Sequence, residues 1–131
     1  MTRSIVCIVL TCLIMAGCGN RNDAALKTFL PGTYTTSYEG DYSIGNDTLE
    51  IRQQGNGENN AYTIIKRNAH QRKQNGVLKE GVNYKSTTWT GLFDESTKAL
   101  TITRTGRVLL FDVEQNEMKM GITTYKKLKT P

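Results

Sequence analysis

GLFDESTKALTITRTGRVLLFDVEQNEMKMGITTYKKL, residues 91–128, is the stretch that decides the fold. Its apolar residues come in short groups, and the groups are separated by Asp94-Glu95-Ser96-Thr97, Arg104-Thr105-Gly106-Arg107 and Glu114-Gln115-Asn116-Glu117. Each separator is polar, short and suited to a hairpin. Leu100 and Ile102 alternate with threonines, the period of a strand with one buried face. Val108-Leu109-Leu110-Phe111 is apolar at both parities, as expected of a strand covered on both sides or placed at a barrel corner. Residues 118–128 read as one last strand, with Met118, Met120 and Ile122 on one face and Lys119 opposite. The strands 82–93, 99–103, 108–113 and 118–128 therefore form a meander.

The same punctuation extends toward the N-terminus. Between Pro31 and Pro131 the chain contains no proline, yet glycines and Asn/Asp pairs recur at short intervals. Further strands are predicted at 32–39, 47–53 and 61–71, with Leu49 and Ile51 sharing a face and Gly40 interrupting the parity of Tyr34, Tyr38 and Tyr42. The polar connections 54–60 and 74–81 are the expected mobile loops. Asn22 or Asp23 is placed to cap a helical turn through Ala24, Ala25, Leu26 and Phe29, ended by Pro31. The expected architecture is all-β, a single antiparallel barrel or half-open barrel of seven to eight strands. A two-sheet sandwich fits the same parities.

With 131 residues the chain has room for one domain, which excludes a multidomain enzyme. Three segments are distinguished: a leader at 1–17, a tether with a short helix at 18–31, and the β-domain at 32–131. The leader has a positive start at Arg3, the apolar run Ile5-Val6-Cys7-Ile8-Val9-Leu10-Thr11-Cys12-Leu13-Ile14-Met15, and small residues Ala16 and Gly17 before Cys18. That run is shorter than the ~20 residues of a permanent transmembrane helix. Met15-Ala16-Gly17-Cys18 resembles the lipobox of bacterial lipoproteins, which implies cleavage before Cys18 and a triacylated N-terminus. More than one acyl chain makes attachment effectively permanent. Gly19, where an aspartate would retain such a protein at the inner membrane, implies placement at the outer membrane facing the periplasm. All three cysteines lie at or before Cys18, so the β-domain holds no internal disulfide.

Phe29-Leu30-Pro31-Gly32-Thr33-Tyr34, Asp47-Thr48-Leu49, Trp89-Thr90-Gly91-Leu92-Phe93-Asp94, Thr97-Lys98-Ala99-Leu100 and Thr124-Tyr125-Lys126-Lys127 resemble the lipocalin-like domains of small Bacteroidetes-type lipoproteins, some of them from conjugative or other mobile elements. Gly32-Thr33-Tyr34 is similar to the lipocalin Gly-x-Trp opening, with Tyr34 in the tryptophan's place. The resemblance implies a membrane-tethered module that binds or assembles, brings no catalytic residues with it, and keeps a second reading open, a carrier of a small apolar ligand.

The net charge is +5, and Lys66, Arg67, Arg72, Lys73, Lys79 and Lys85 stand against Glu80 alone in their segment. They are the expected docking surface for an envelope protein or another anionic partner, or else a solvated face that protects a strand edge. Direct nucleic-acid recognition is not expected, because Tyr62, Tyr84 and Trp89 are scattered rather than arrayed as a stacking platform. Tyr34, Trp89, Phe93, Met118 and Met120 are candidates either for a packed core or for the lining of an apolar pocket. Asp94 and Glu95, and Glu39 and Asp41, read as turn residues and not as a catalytic pair. His70 stands in a polar run, exposed and without a nucleophile motif. Asp47-Thr48-Leu49 resembles a short O-glycosylation signal centred on Thr48. No cofactor, metal or catalytic residue is expected.

Cys18→Ala is expected to abolish incorporation of labelled palmitate and move the protein from the membrane to the soluble fraction. Unchanged labelling or fractionation would remove the anchor from this reading.

Overall fold

The turns read as hairpins all close antiparallel pairs, and the pairs join into a ring. The fold was obtained as a computed structural model describing residues 21–56 and 59–129; the leader and Cys18 fall outside them. Helix α1 (Arg21–Phe29) is followed by β1 (Gly32–Glu39), β2 (Ser43–Gln53), β3 (Ala61–Gln74), β4 (Val77–Leu78), β5 (Asn83–Asp94), β6 (Ala99–Ile102), β7 (Val108–Asp112), β8 (Glu117–Met120) and β9 (Thr123–Lys127). Eight strands close an antiparallel barrel in the order β1-β2-β3-β5-β6-β7-β8-β9, and β4 is an extra strand folded onto the end of β3. A seam of two residue pairs, Tyr34 with Lys127 and Thr35 with Lys126, returns β9 to β1. The sandwich is thereby excluded.

Several boundaries differ from the expected ones. The segment 118–128 is two strands, because Gly121 takes φ +62° and allows a two-residue turn between Met120 and Thr123. Ile122 consequently sits fully exposed at the turn instead of sharing the face of Met118 and Met120. The segment 74–81 contains a hairpin, for Asn75 and Gly76 both adopt positive φ (51° and 76°) and fold β4 back onto β3. Asn22 and Asp23 lie within helix α1 and not at its cap.

Helix α1 is more than a tether. Leu26, Phe29 and Leu30 are buried in the core and seal one end of the barrel. The Tyr34 hydroxyl lies 2.8 Å from the Phe29 carbonyl and 3.1 Å from that of Leu30, donating to helix-end acceptors that have no partner within the helix. The Lys127 ammonium donates to the same Phe29 carbonyl (2.5 Å) and lies 4.3 Å from the Phe29 ring centroid. A cation there also meets the negative end of the helix dipole. Gly32 makes room for it, since a Cβ at that position would fall 2.6 Å from Lys127 Cε.

The interior is layered by cross-strand register. The row Ile51, Ile64 and Trp89 joins β2, β3 and β5, with Phe93, Leu100, Ile102, Leu109, Met118 and Tyr125 closing the core around it. Gly91 lies on the same inward face, where a Cβ would fall 2.8 Å from Ile64 Cδ1 and 3.1 Å from Leu100 Cδ1. Gly91→Val is therefore expected to cost about 1–3 kcal/mol through overpacking, read from urea melts, with Gly91→Ala intermediate. Melts unchanged by both substitutions would show that the interior is looser than this.

Candidate functional site

Strand lengths are unequal around the ring. β2, β3 and β5 span 11, 14 and 12 residues, whereas β6 to β9 span only four or five. The long strands, together with the end of β1, rise above the mouth opposite α1 as a curved wall. Alternation carries the inward parity of Leu49, Ile51, Tyr62 and Ile64 up this wall. The next row is Leu49, Lys66 and Thr87, the one above it Thr36, Asp47, Asn68 and Lys85, and the one above that Tyr38, Gly45, His70 and Asn83. The inner surface changes from apolar to polar within two residues of β3, between Ile64 and Lys66.

These polar groups hold one another. Asp47 accepts from the Asn68 amide, faces the Lys66 ammonium at 3.4 Å, and receives the Tyr125 hydroxyl from across the mouth at 3.5 Å. Asn68 also donates to the Tyr38 hydroxyl (3.1 Å), and its carbonyl oxygen is 2.7 Å from His70 Nδ1. The Tyr38 ring reaches Asn68 by lying over Gly45, where a Cβ would fall 2.6 Å from the Tyr38 hydroxyl. His70 is thus half-buried and partnered, not exposed as its polar neighbours suggested.

Beside this network, where β5 parts from the turn between β6 and β7, a cavity of about 410 Å³ is lined by Lys66, Asn68, Lys85, Trp89, Thr105 and Arg107. A second cavity, of about 680 Å³, adjoins it and shares Lys66 and Arg107, with Asp47, Met120 and Tyr125 in its lining. Lys66 shares Asp47, but among the described residues neither Lys85 nor Arg107 forms an ion pair.

The six cations expected to form one surface are divided by strand parity, which is a correction. Lys66 and Lys85 face the mouth. Arg67 turns outward and bonds Glu50 at 2.9 Å, beside Arg52, which bonds the same carboxylate at 2.6 Å; the two hold Glu50 below the usual carboxylate range. Lys73 is bound to Glu39 at 2.6 Å. Arg72 and Lys79 stand at the upper end of the wall, linked by the Lys79 amide donating to the Arg72 carbonyl (2.8 Å). The five apolar candidates are divided too: Tyr34, Phe93 and Met118 are packed in the core, while Met120 and Trp89 reach the two mouth cavities. Asp94 organises its turn by accepting from Ser96 and Thr97, and Glu95 pairs with Lys27. Thr48 lies on the outer face of the wall, half-buried.

Arg107, Asp47, Asn68, Tyr38 and Tyr125 were not among the sequence candidates. The signal that could have found four of them is the inward parity of their strands, which runs past the last apolar residue; Arg107 lies in a turn and carries no such mark. No protein-family model, curated protein or solved structure matches this chain.

Burial above all, then the charge of Asp47 and the bond to it, pushes the Tyr125 hydroxyl from its ordinary 10.0 up to about 12. Folding therefore favours protonated Tyr125. That contribution is complete below pH 10.0, where the unfolded chain is protonated as well, and is lost as pH rises to about 12. Tyr34 and Tyr62 are raised by burial in the same direction. In urea melts across this window, Tyr125→Phe is expected to lose stability less steeply than the native chain. Equal slopes would take Tyr125 out of the account.

Proposed function

We propose that this chain is a membrane-tethered, non-catalytic envelope module that binds an anionic group of its partner at the barrel mouth. The observation that carries the reading is the convergence of Lys66, Lys85 and Arg107 with Trp89 around one cavity, with Asp47 the carboxylate beside them. Cationic side chains without ion-pair partners favour a carboxylate or phosphate, and an adjoining indole gives a ligand an apolar surface to lie on. Helix α1, within the 18–31 segment, seals the opposite end of the barrel, which leaves this mouth as the open one. Within the resemblance to envelope lipoproteins, the fitting partner class is an assembly of the periplasm or outer membrane, conjugative machinery included. The rival reading, a carrier of an apolar ligand inside the barrel, has less support, because Leu30, Tyr34, Leu100 and Met118 fill that space.

Trp89 is the single tryptophan of the chain and lines the cavity, which makes its fluorescence a local reporter. Titration with pyrophosphate is expected to change that emission, with the response weakening as salt is raised. The Lys85→Gln/Arg107→Gln double variant is expected to need about tenfold more pyrophosphate. An unresponsive Trp89, or an unaltered titration in the double variant, would overturn the reading.

A further inference from the structure

β5 has a neighbour on one side only once it rises above the mouth. β3 pairs with it from Asn83 to Leu92, whereas β6 pairs with it from Gly91 to Asp94. The last bond on the β6 side is at Thr90, whose carbonyl accepts from the Thr103 amide and the Thr103 hydroxyl, both at 3.0 Å. That bond fixes the direction of every backbone group above it. In an antiparallel strand the N–H and C=O of one residue point to the same side and successive residues alternate, so Thr88, Ser86 and Tyr84 aim theirs at the gap. Phe93, of opposite parity, agrees by donating to Asn60 on the other side. Among the described residues no partner meets the backbone groups of Tyr84, Ser86 and Thr88 on that edge.

Of the usual protections this segment carries the inward charge of Lys85, which repels a basic strand but not an acidic one. Asn83-Tyr84-Lys85-Ser86-Thr87-Thr88-Trp89 contains no proline, and its register with β3 runs without a bulge. Tyr, Thr and Trp are residues that strands favour. The side chains of Lys85, Thr87 and Trp89 on this same segment line the cavity shared with Lys66 and Arg107. Backbone hydrogen-bonding groups and a cationic pocket therefore lie side by side.

We propose that the mouth takes an extended acidic segment of a partner protein, which adds to the edge at Tyr84–Thr88 as a further strand and turns an Asp or Glu side chain into the cavity. The proposal rests on the anion-binding reading above and gives its ligand a form. Three residues with free groups at two-residue spacing match a strand of about five residues. The acidic character follows from Lys66, Lys85 and Arg107. A second copy of this chain fits less well, since its own 83–89 segment has no carboxylate and would bring Lys85 to a site that is already cationic.

The test uses the detergent-solubilised full chain and a seven-residue peptide of alternating Thr and Glu, with Trp89 emission and amide hydrogen exchange as readouts. The peptide is expected to shift the emission and slow exchange at Tyr84, Ser86 and Thr88 about tenfold or more. Two changes address the strand itself. A peptide N-methylated at alternate backbone positions keeps its charge but loses its donors. Ser86→Pro removes an edge N–H that takes no part in pairing with β3. Each is expected to weaken peptide binding about tenfold while the pyrophosphate response remains. Equal binding of the methylated peptide, or exchange at 84–88 unaltered by the peptide, would overturn strand addition and leave the anion site standing. Silence toward both peptide and pyrophosphate would overturn the anion site as well. Concentration-dependent dimers in sedimentation, with 84–88 already protected, would give the edge to a second copy and overturn the acidic occupant.

Discussion

Every strand of a closed sheet needs a neighbour on both sides, and this ring supplies one only as far up as its shortest strands reach. β6, β7, β8 and β9 stop after four or five residues, while β2, β3 and β5 continue. Below that level the strands pair around the ring and apolar side chains fill the interior. Above it the sheet becomes an open wall whose inner face meets water. The polar network, the cavities and the free edge of β5 all follow from this inequality.

The chemistry of the two levels matches their exposure. Apolar rows occupy the closed part, where each fully buried Leu, Ile or Met side chain contributes about 1.5–3 kcal/mol. Lys66 enters at the first row where water can reach, and Asp47 partners it with Asn68 and Tyr125 in support. An unpartnered charge deeper in the barrel would cost several kcal/mol. At the mouth solvent offsets that cost, so Lys85 and Arg107 stand there without carboxylate partners among the described residues. The outward cations are placed differently, for Arg67 and Lys73 meet Glu50 and Glu39 in surface pairs that solvent screens. Of the local excess of positive charge visible in the sequence, Arg67 and Lys73 are thus paired on the outside, Lys66 is paired with Asp47 inside, and Lys85 is left open at the mouth.

Much of the fold was legible because its signals are local. The alternation of Leu49 with Ile51 and of Leu100 with Ile102, the polar hairpin connections and the break at Gly40 each report on a few neighbouring residues. Gly121 was misread because a glycine between apolar residues of matching parity looks like strand interior until its positive φ is known. Closure into a barrel was expected because it leaves no open sheet edge, but strand parity alone did not exclude a sandwich, since the β1–β9 seam joins residues far apart in sequence. The site was legible only in part. Lys66 and Lys85 stood out as charges, but whether a strand residue faces the core or the solvent depends on register, and Arg67 stands beside Lys66 in sequence while facing the other way. Asp47 was read through a three-residue motif, and its partner Tyr125 lies across the barrel.

The helix at the sealed end limits what the barrel can hold. In an open calyx the inward aromatic residues would surround a ligand, whereas here Phe29 enters from α1 and meets Tyr34 and Phe111 edge to face, at 5.9 and 6.3 Å between ring centroids. Tyr34 spends its hydroxyl on the helix-end carbonyls, and Lys127 lies against the same rings. Opening that space would require breaking these hydrogen bonds and exposing three aromatic rings together. The space open to a ligand is therefore at the mouth, where polar groups line the cavities, Lys85 and Arg107 stand without ion pairs among the described residues, and the backbone of β5 lacks a neighbour on one side.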